Sequence, residues 1–185
     1  PTEPRMIPQG VFGRLSEQML IGEMNSPTLV RFSPDSVGDV SQGAAIPFLR
    51  TRALGAGNHR LTFTPDGSLW VAKTHLSWAG GEGLVRVRLK EQAADFLAID
   101  RVKLTPKGFS IGFTQPIQSE SLRDVEITRH TYTYHAKYGS PKVDKQKVSA
   151  AVTGFSPKDR SCLINFENTA DLKKGYLYTI NFPGV

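Results

Sequence analysis

Almost no stretch of this chain repeats its apolar residues at the three-to-four spacing of a helix. They fall in short runs, often alternating with polar residues, and Gly, Pro, Asn and Asp cut the runs apart. That pattern points to antiparallel β-structure. Residues 60–73 are the clearest case. Leu61 and Phe63 alternate with Thr62 and Thr64, Pro65-Asp66-Gly67 supplies a turn, and Leu69 and Val71 resume the alternation. Proline presets φ in such a turn, aspartate bonds the backbone locally, and glycine accepts positive φ. A third strand is predicted over Leu84–Leu89. Residues 17–32 give two apolar runs split by a Gly/Asn/Ser/Pro break. Phe32-Ser33-Pro34-Asp35 echoes Phe63-Thr64-Pro65-Asp66 at an offset of 31 residues. Strand–turn–strand units repeated at that distance predict propeller-like blades, about two of them.

The composition shifts near residue 91. From Ala98 the runs become regular: Ile99, Val102 and Leu104, then a Pro106-Lys107-Gly108 turn, then Phe109, Ile111 and Phe113. Further strands are predicted at Val125–Thr133, Val148–Phe155, Ser161–Phe166 and Tyr176–Phe182. Short strands at this spacing predict an immunoglobulin-like or fibronectin-like sandwich. The expected fold class is therefore all-β. A partial propeller-like antiparallel sheet unit covers residues 1–90, residues 91–97 link, and an immunoglobulin-like β-sandwich covers residues 98–185.

The net charge of +6 invites a nucleic-acid reading. It is spread evenly: residues 1–90 carry 10 Lys/Arg against 7 Asp/Glu, and residues 91–185 carry 13 against 10. Specific nucleic-acid binding needs a concentrated basic face, so none is expected. The densest run, Lys137–Lys147, contains Asp144 and Pro141 and reads as a solvated loop. The single cysteine, Cys162, excludes an intrachain disulfide framework and a four-cysteine zinc site. It lies in an alternating run and reads as a small buried hydrophobe.

The segments Gln42–Phe48, Asn58–Trp78 and Gly80–Leu84 resemble the end of a sorbosone/glucose dehydrogenase-like β-propeller, in proteins described as membrane-bound dehydrogenases. Gly108–Pro116, Tyr132–His135 and Tyr138–Pro141 are similar to the immunoglobulin-like domain that follows the propeller there. The resemblance implies a periplasmic or extracellular address and association with redox assemblies. The family's further blades are absent from these residues, and so is a CxxCH haem attachment. No set of residues maps onto a quinone-dependent active site, so no cofactor is expected.

Two groups are candidate binding residues. His59, Arg60, His75 and Trp78 fall at the end of the predicted hairpin opposite its turn, where His, Arg and Trp can stack on a sugar or hold an acidic group. Packing of a blade-closing loop explains the same residues. Tyr132, Tyr134, His135 and Tyr138 form the second group. Tyr132 and Tyr134 share one strand face, as a carbohydrate platform or protein interface requires. His130 and His135 are an odd number apart and fall on opposite faces, which suits no shared metal. No catalytic or metal-binding motif emerges.

The expected function is a non-catalytic accessory subunit. It would dock on a larger protein complex, or on the missing propeller domain, through sheet edges and aromatic loops. A redox or electron-transfer complex is the assembly the resemblance points to, and membrane association would then be peripheral and through the partner. The alternatives are a fragment of a quinone-dependent sugar dehydrogenase and a carbohydrate-binding module. The physical motive for docking is that an incomplete propeller leaves an unpaired edge and an uncovered apolar face.

Overall fold

A computed structural model describes the chain except for residues 1, 77–78, 91–95, 138 and 184. The described residues form several open antiparallel sheets, so the fold is all-β. They divide into two compact units, Pro1–Val102 and Lys103–Val185.

The first unit opens with a meander. Strands β1 (Arg5–Met6), β2 (Met19–Gly22), β3 (Thr28–Val37) and β4 (Val40–Arg50) pair in chain order. A second sheet takes β5 (Asn58–Phe63), β6 (Leu69–Lys73) and β9 (Leu84–Val87), while β7 (His75–Leu76) and β8 (Ala79–Gly80) make a small hairpin before β9. The predicted 60–73 hairpin forms with Phe63 opposite Leu69. The apolar alternation is what closes the unit: Leu20, Leu29, Leu61, Leu69 and Val71 are buried in one cluster with Ile7, Leu15 and Leu54. At Gly22 a Cβ would lie 2.1 Å from the Asn58 carbonyl oxygen, so β2 and β5 touch backbone to backbone only because glycine stands there.

The echo between the two Pro-Asp segments does not survive as a structural repeat. Pro65-Asp66 lies between strands, whereas Pro34-Asp35 lies inside β3, paired with Gly43 and Gln42. The turn of that long hairpin falls later, at Gly38-Asp39, where Gly38 takes φ 56°. Proline is tolerated in β3 because β2 pairs only with Leu29–Phe32 and leaves the further part of β3 at an edge.

Part of this unit is held by charge. Arg31, 1% exposed, donates to the carbonyls of Ile99 and Asp100 and to Gln18 Oε1. Gln18 Nε2 donates to the same Asp100 carbonyl at 2.9 Å. The buried Asp100 carboxylate accepts from Arg14 at 3.1 Å and from Arg101 at 3.2 Å. Burial pulls the Arg31 guanidinium down to about 10, opposed by the nearby Asp100 charge.

The second unit is a sandwich. Strand β10 (Ile99–Thr105) crosses the division between the units. Strands β11 (Gly108–Phe113), β12 (Glu126–Tyr132), β13 (Lys142–Val148), β14 (Ala150–Ser156), β15 (Ser161–Phe166) and β16 (Leu177–Asn181) follow. One sheet runs β10-β11-β15-β14 and the other β13-β12-β16. That order matches the immunoglobulin-like arrangement, in which strands of one hairpin are divided between two sheets. Phe109 and Phe113 of β11 alternate inward with Ile111, and Cys162, Ile164 and Phe166 of β15 do the same. Across the sandwich, Tyr178 meets Phe109 at 5.5 Å and Phe166 at 5.6 Å, and Phe182 meets Phe113 at 6.1 Å.

The reading of Lys137–Lys147 as a loop is corrected over Lys142–Lys147. Those residues begin β13, whose exposed side chains lie on both faces. An edge strand covered on neither side has no apolar alternation to betray it.

Candidate functional site

The three-stranded sheet β13-β12-β16 offers two features. The first is an aromatic row along β12 and just past its end. His130 and Tyr132 share one face, because successive strand residues point to opposite sides, and Tyr134, two residues beyond the strand, keeps ring contact with Tyr132. The His130 ring stands edge-on to Tyr132 at 5.2 Å, and Tyr132 lies tilted 48° to Tyr134 at 6.2 Å. Exposure rises along the row: His130 is buried at 8%, Tyr132 is half-buried, and Tyr134 is 82% exposed. His130 Nε2 is buried with no hydrogen-bond partner among the described residues.

Direct cross-strand partners share a face, which identifies the flanks of the row. Lys142 of β13 pairs with Tyr132, and Lys147 with Thr128. Leu177 and Thr179 of β16 pair with His130 and Thr128. On the β16 side, Thr131 Oγ1 donates to the Gly175 carbonyl at 2.9 Å, which brings the exposed Lys174–Gly175 turn alongside the same end of β12. Glu126 shares the face at the far end, opposite Asn181.

The second feature is the contrast between the sheet's two edges. β13 carries Lys142, Lys145 and Lys147, and its ladder with β12 is interrupted between Arg129 and Thr131, where Asp144 takes φ 49°. Edge lysines and bulges are how a sheet discourages further pairing. β16 reads Leu-Tyr-Thr-Ile-Asn, carries no charge, and pairs with β12 in unbroken register over five residues. Neither guard is present on it.

One inner end of the sandwich is closed by a polar network. Arg129 donates to Asp171 Oδ1 at 2.8 Å, to the Asp171 carbonyl at 2.9 Å and to Gln146 Oε1 at 2.7 Å. Tyr178 donates to the Asp171 carbonyl at 2.7 Å. Tyr176 donates to Asp144 at 2.6 Å, which holds the Asp144 carboxyl below its usual range and pushes the Tyr176 phenol up. The guanidinium of Arg129 and the ammonium of Lys173 each stand 5.4 Å from the Tyr176 ring centre. The network fixes the start of β16, although Arg129 Nε is buried with no hydrogen-bond partner among the described residues.

The other sequence candidates are less convergent. His59 is half-buried where the β5–β6 ladder skips, between Asn58 and Arg60, and its carbonyl accepts from the Glu3 amide at 3.3 Å. Arg60 is exposed and pairs with Glu3 at 3.3 Å. His75 is exposed on β7, opposite Gly80. No hydrogen bond or ring contact joins His59 to His75 among the described residues. Trp78 and Tyr138 lie outside the described residues. His135 is exposed just past β12.

The sequence reading missed the guarded and unguarded edges, since neither is visible until strand order is known. It also missed Asn58, fully buried, whose Nδ2 donates to the carbonyls of Glu23, Ser26 and Gly55. Among the described residues no group of three or more His, Cys, Asp or Glu could hold a metal ion, and no helix is long and apolar enough to cross a membrane. Compared with family models, curated proteins and solved structures, the chain matches none of them.

Proposed function

We propose that the chain is a non-catalytic accessory module of a cell-envelope or secreted assembly, and that it docks by accepting an extended strand along β16. The observation that carries this reading is the uncharged, unguarded β16 edge in a sheet of three strands facing a sheet of four. Strand addition supplies main-chain hydrogen bonds along such an edge and sets specificity through alternate side chains. The four-stranded meander β1–β4 is the form of a propeller blade, and this supports the resemblance to sorbosone/glucose dehydrogenase-like proteins. On that reading the assembly is a redox complex, the address is periplasmic or extracellular, and any membrane contact is the partner's.

The test is native purification under mild conditions, followed by sizing. Wild-type protein is expected in an assembly larger than its own 20.4 kDa. Leu177→Lys with Thr179→Lys places charges on exposed positions of the edge and is expected to release the module as a folded monomer. A wild-type protein recovered as a lone, monodisperse monomer overturns the proposal. So does an assembly that the double variant leaves intact.

A further inference from the structure

We infer that the outer face of β12 at its Tyr132 end, together with Tyr134 just beyond the strand, is a binding platform for a linear anionic polysaccharide of the polyuronate type. This goes beyond strand docking, since it uses the face of the sheet and not its edge.

Three observations converge on this end of the face. The rings of Tyr132 and Tyr134 form a continuous pair, and Tyr134 is 82% exposed with its whole side chain available. A cation stands beside the pair: Lys142 lies directly opposite Tyr132 on β13. Behind them lies His130, buried at 8%, with Nε2 unpaired among the described residues and its ring against Tyr132. The acidic residue of this face, Glu126, lies six residues from Tyr132, about 20 Å along the strand. Lys142 is therefore the charge that the strand register places beside the exposed aromatic surface.

The chemistry favours a sugar acid. Tyrosine presents a face for the C–H side of a pyranose and a hydroxyl for its oxygens. Lysine is a point charge that attracts the carboxylate of such a sugar without imposing the bidentate geometry of an arginine fork. The tilt between the tyrosine rings is 48°. It does not give the parallel faces on which successive nucleic-acid bases stack.

Affinity electrophoresis of the full chain through polygalacturonate tests this, with neutral dextran and oligo(dT) as competing ligands. Polygalacturonate is expected to retard the protein, dextran not to, and oligo(dT) to bind more weakly. Tyr134→Ala changes no charge and removes an exposed side chain, so folding is preserved. It is expected to weaken retention about fivefold or more. Lys142→Gln is expected to lower the salt dependence by about one counterion. Arg50→Gln, the same charge change in the first unit, is the control and is expected to weaken retention less than Lys142→Gln. Four outcomes overturn the inference: retention unchanged by Tyr134→Ala, dextran retained as strongly, oligo(dT) bound more tightly, or equal losses from Arg50→Gln and Lys142→Gln.

Discussion

Tyr178 of β16 packs edge-on against Phe109 of β11, with 5.5 Å between ring centroids. That pairing sets β16 over β11 and its neighbour β15, whose Phe166 also meets Tyr178. β16 is the end strand of the order β13-β12-β16, and the docking proposal places a partner strand along its outer edge.

The inner end of β16 should depend on one carboxylate. Arg129 is 3% exposed and relies on Asp171 for a charged partner. Asp171→Ala should cost about 2 kcal/mol or more, because it leaves part of a buried guanidinium unsatisfied. Lys173→Ala breaks an exposed contact of 3.9 Å and a cation–π contact with Tyr176, and should cost about 1 kcal/mol or less. Urea denaturation of both variants separates these values, and equal losses would count against the burial argument.

Asn58 should be as costly as a large apolar residue. Its amide serves three carbonyls in the interior of the first unit. Asn58→Ala should destabilise by about 2 kcal/mol through carbonyls left without donors. The midpoint of chemical unfolding reads this directly.

Asp66 should make stability fall in acid. Its carboxylate accepts from Thr64 at 2.6 Å, from the Ser68 amide at 3.1 Å and hydroxyl at 3.0 Å, and from Arg86, which stacks 5.6 Å from the Trp70 ring centre. The Thr64 bond foremost, with the Ser68 and Arg86 bonds, holds the carboxyl well below the ordinary carboxylate range. A folded-state value below the unfolded one stabilises fully above the unfolded pKa of about 4, and the gain fades as pH falls from there through the lower folded-state value. Asp66→Asn should therefore melt lower than wild type at neutral pH. The gap should narrow steadily in acid; a constant gap would contradict the assignment.

Cys162 should resist modification. It is buried on β15, and burial pushes its thiol up to about 11. At mildly alkaline pH a thiol-specific chromogenic reagent should label it only after unfolding, since the thiolate is the reactive form. Rapid labelling of the native protein would show that β15 opens readily.

The sequence by itself determined where most strands lie and which of their faces are apolar. Leu61/Phe63, Phe109/Ile111/Phe113 and Cys162/Ile164/Phe166 are legible because alternation and turn chemistry act over two or three residues. It also placed Tyr132 and Tyr134 together. Only the tertiary structure decided that Pro34-Asp35 continues a strand while Pro65-Asp66 makes a turn, since pairing with Gln42 and Gly43 overrides the local turn preference. It likewise decided that lysines guard β13, that β16 is open, and that Arg31 and Asn58 are core residues. Arg31 finds its carbonyl partners 68 and 69 positions away, and Asn58 reaches Glu23 across 35. Contacts over such separations arise from strand order and layer packing, which no short window of sequence encodes.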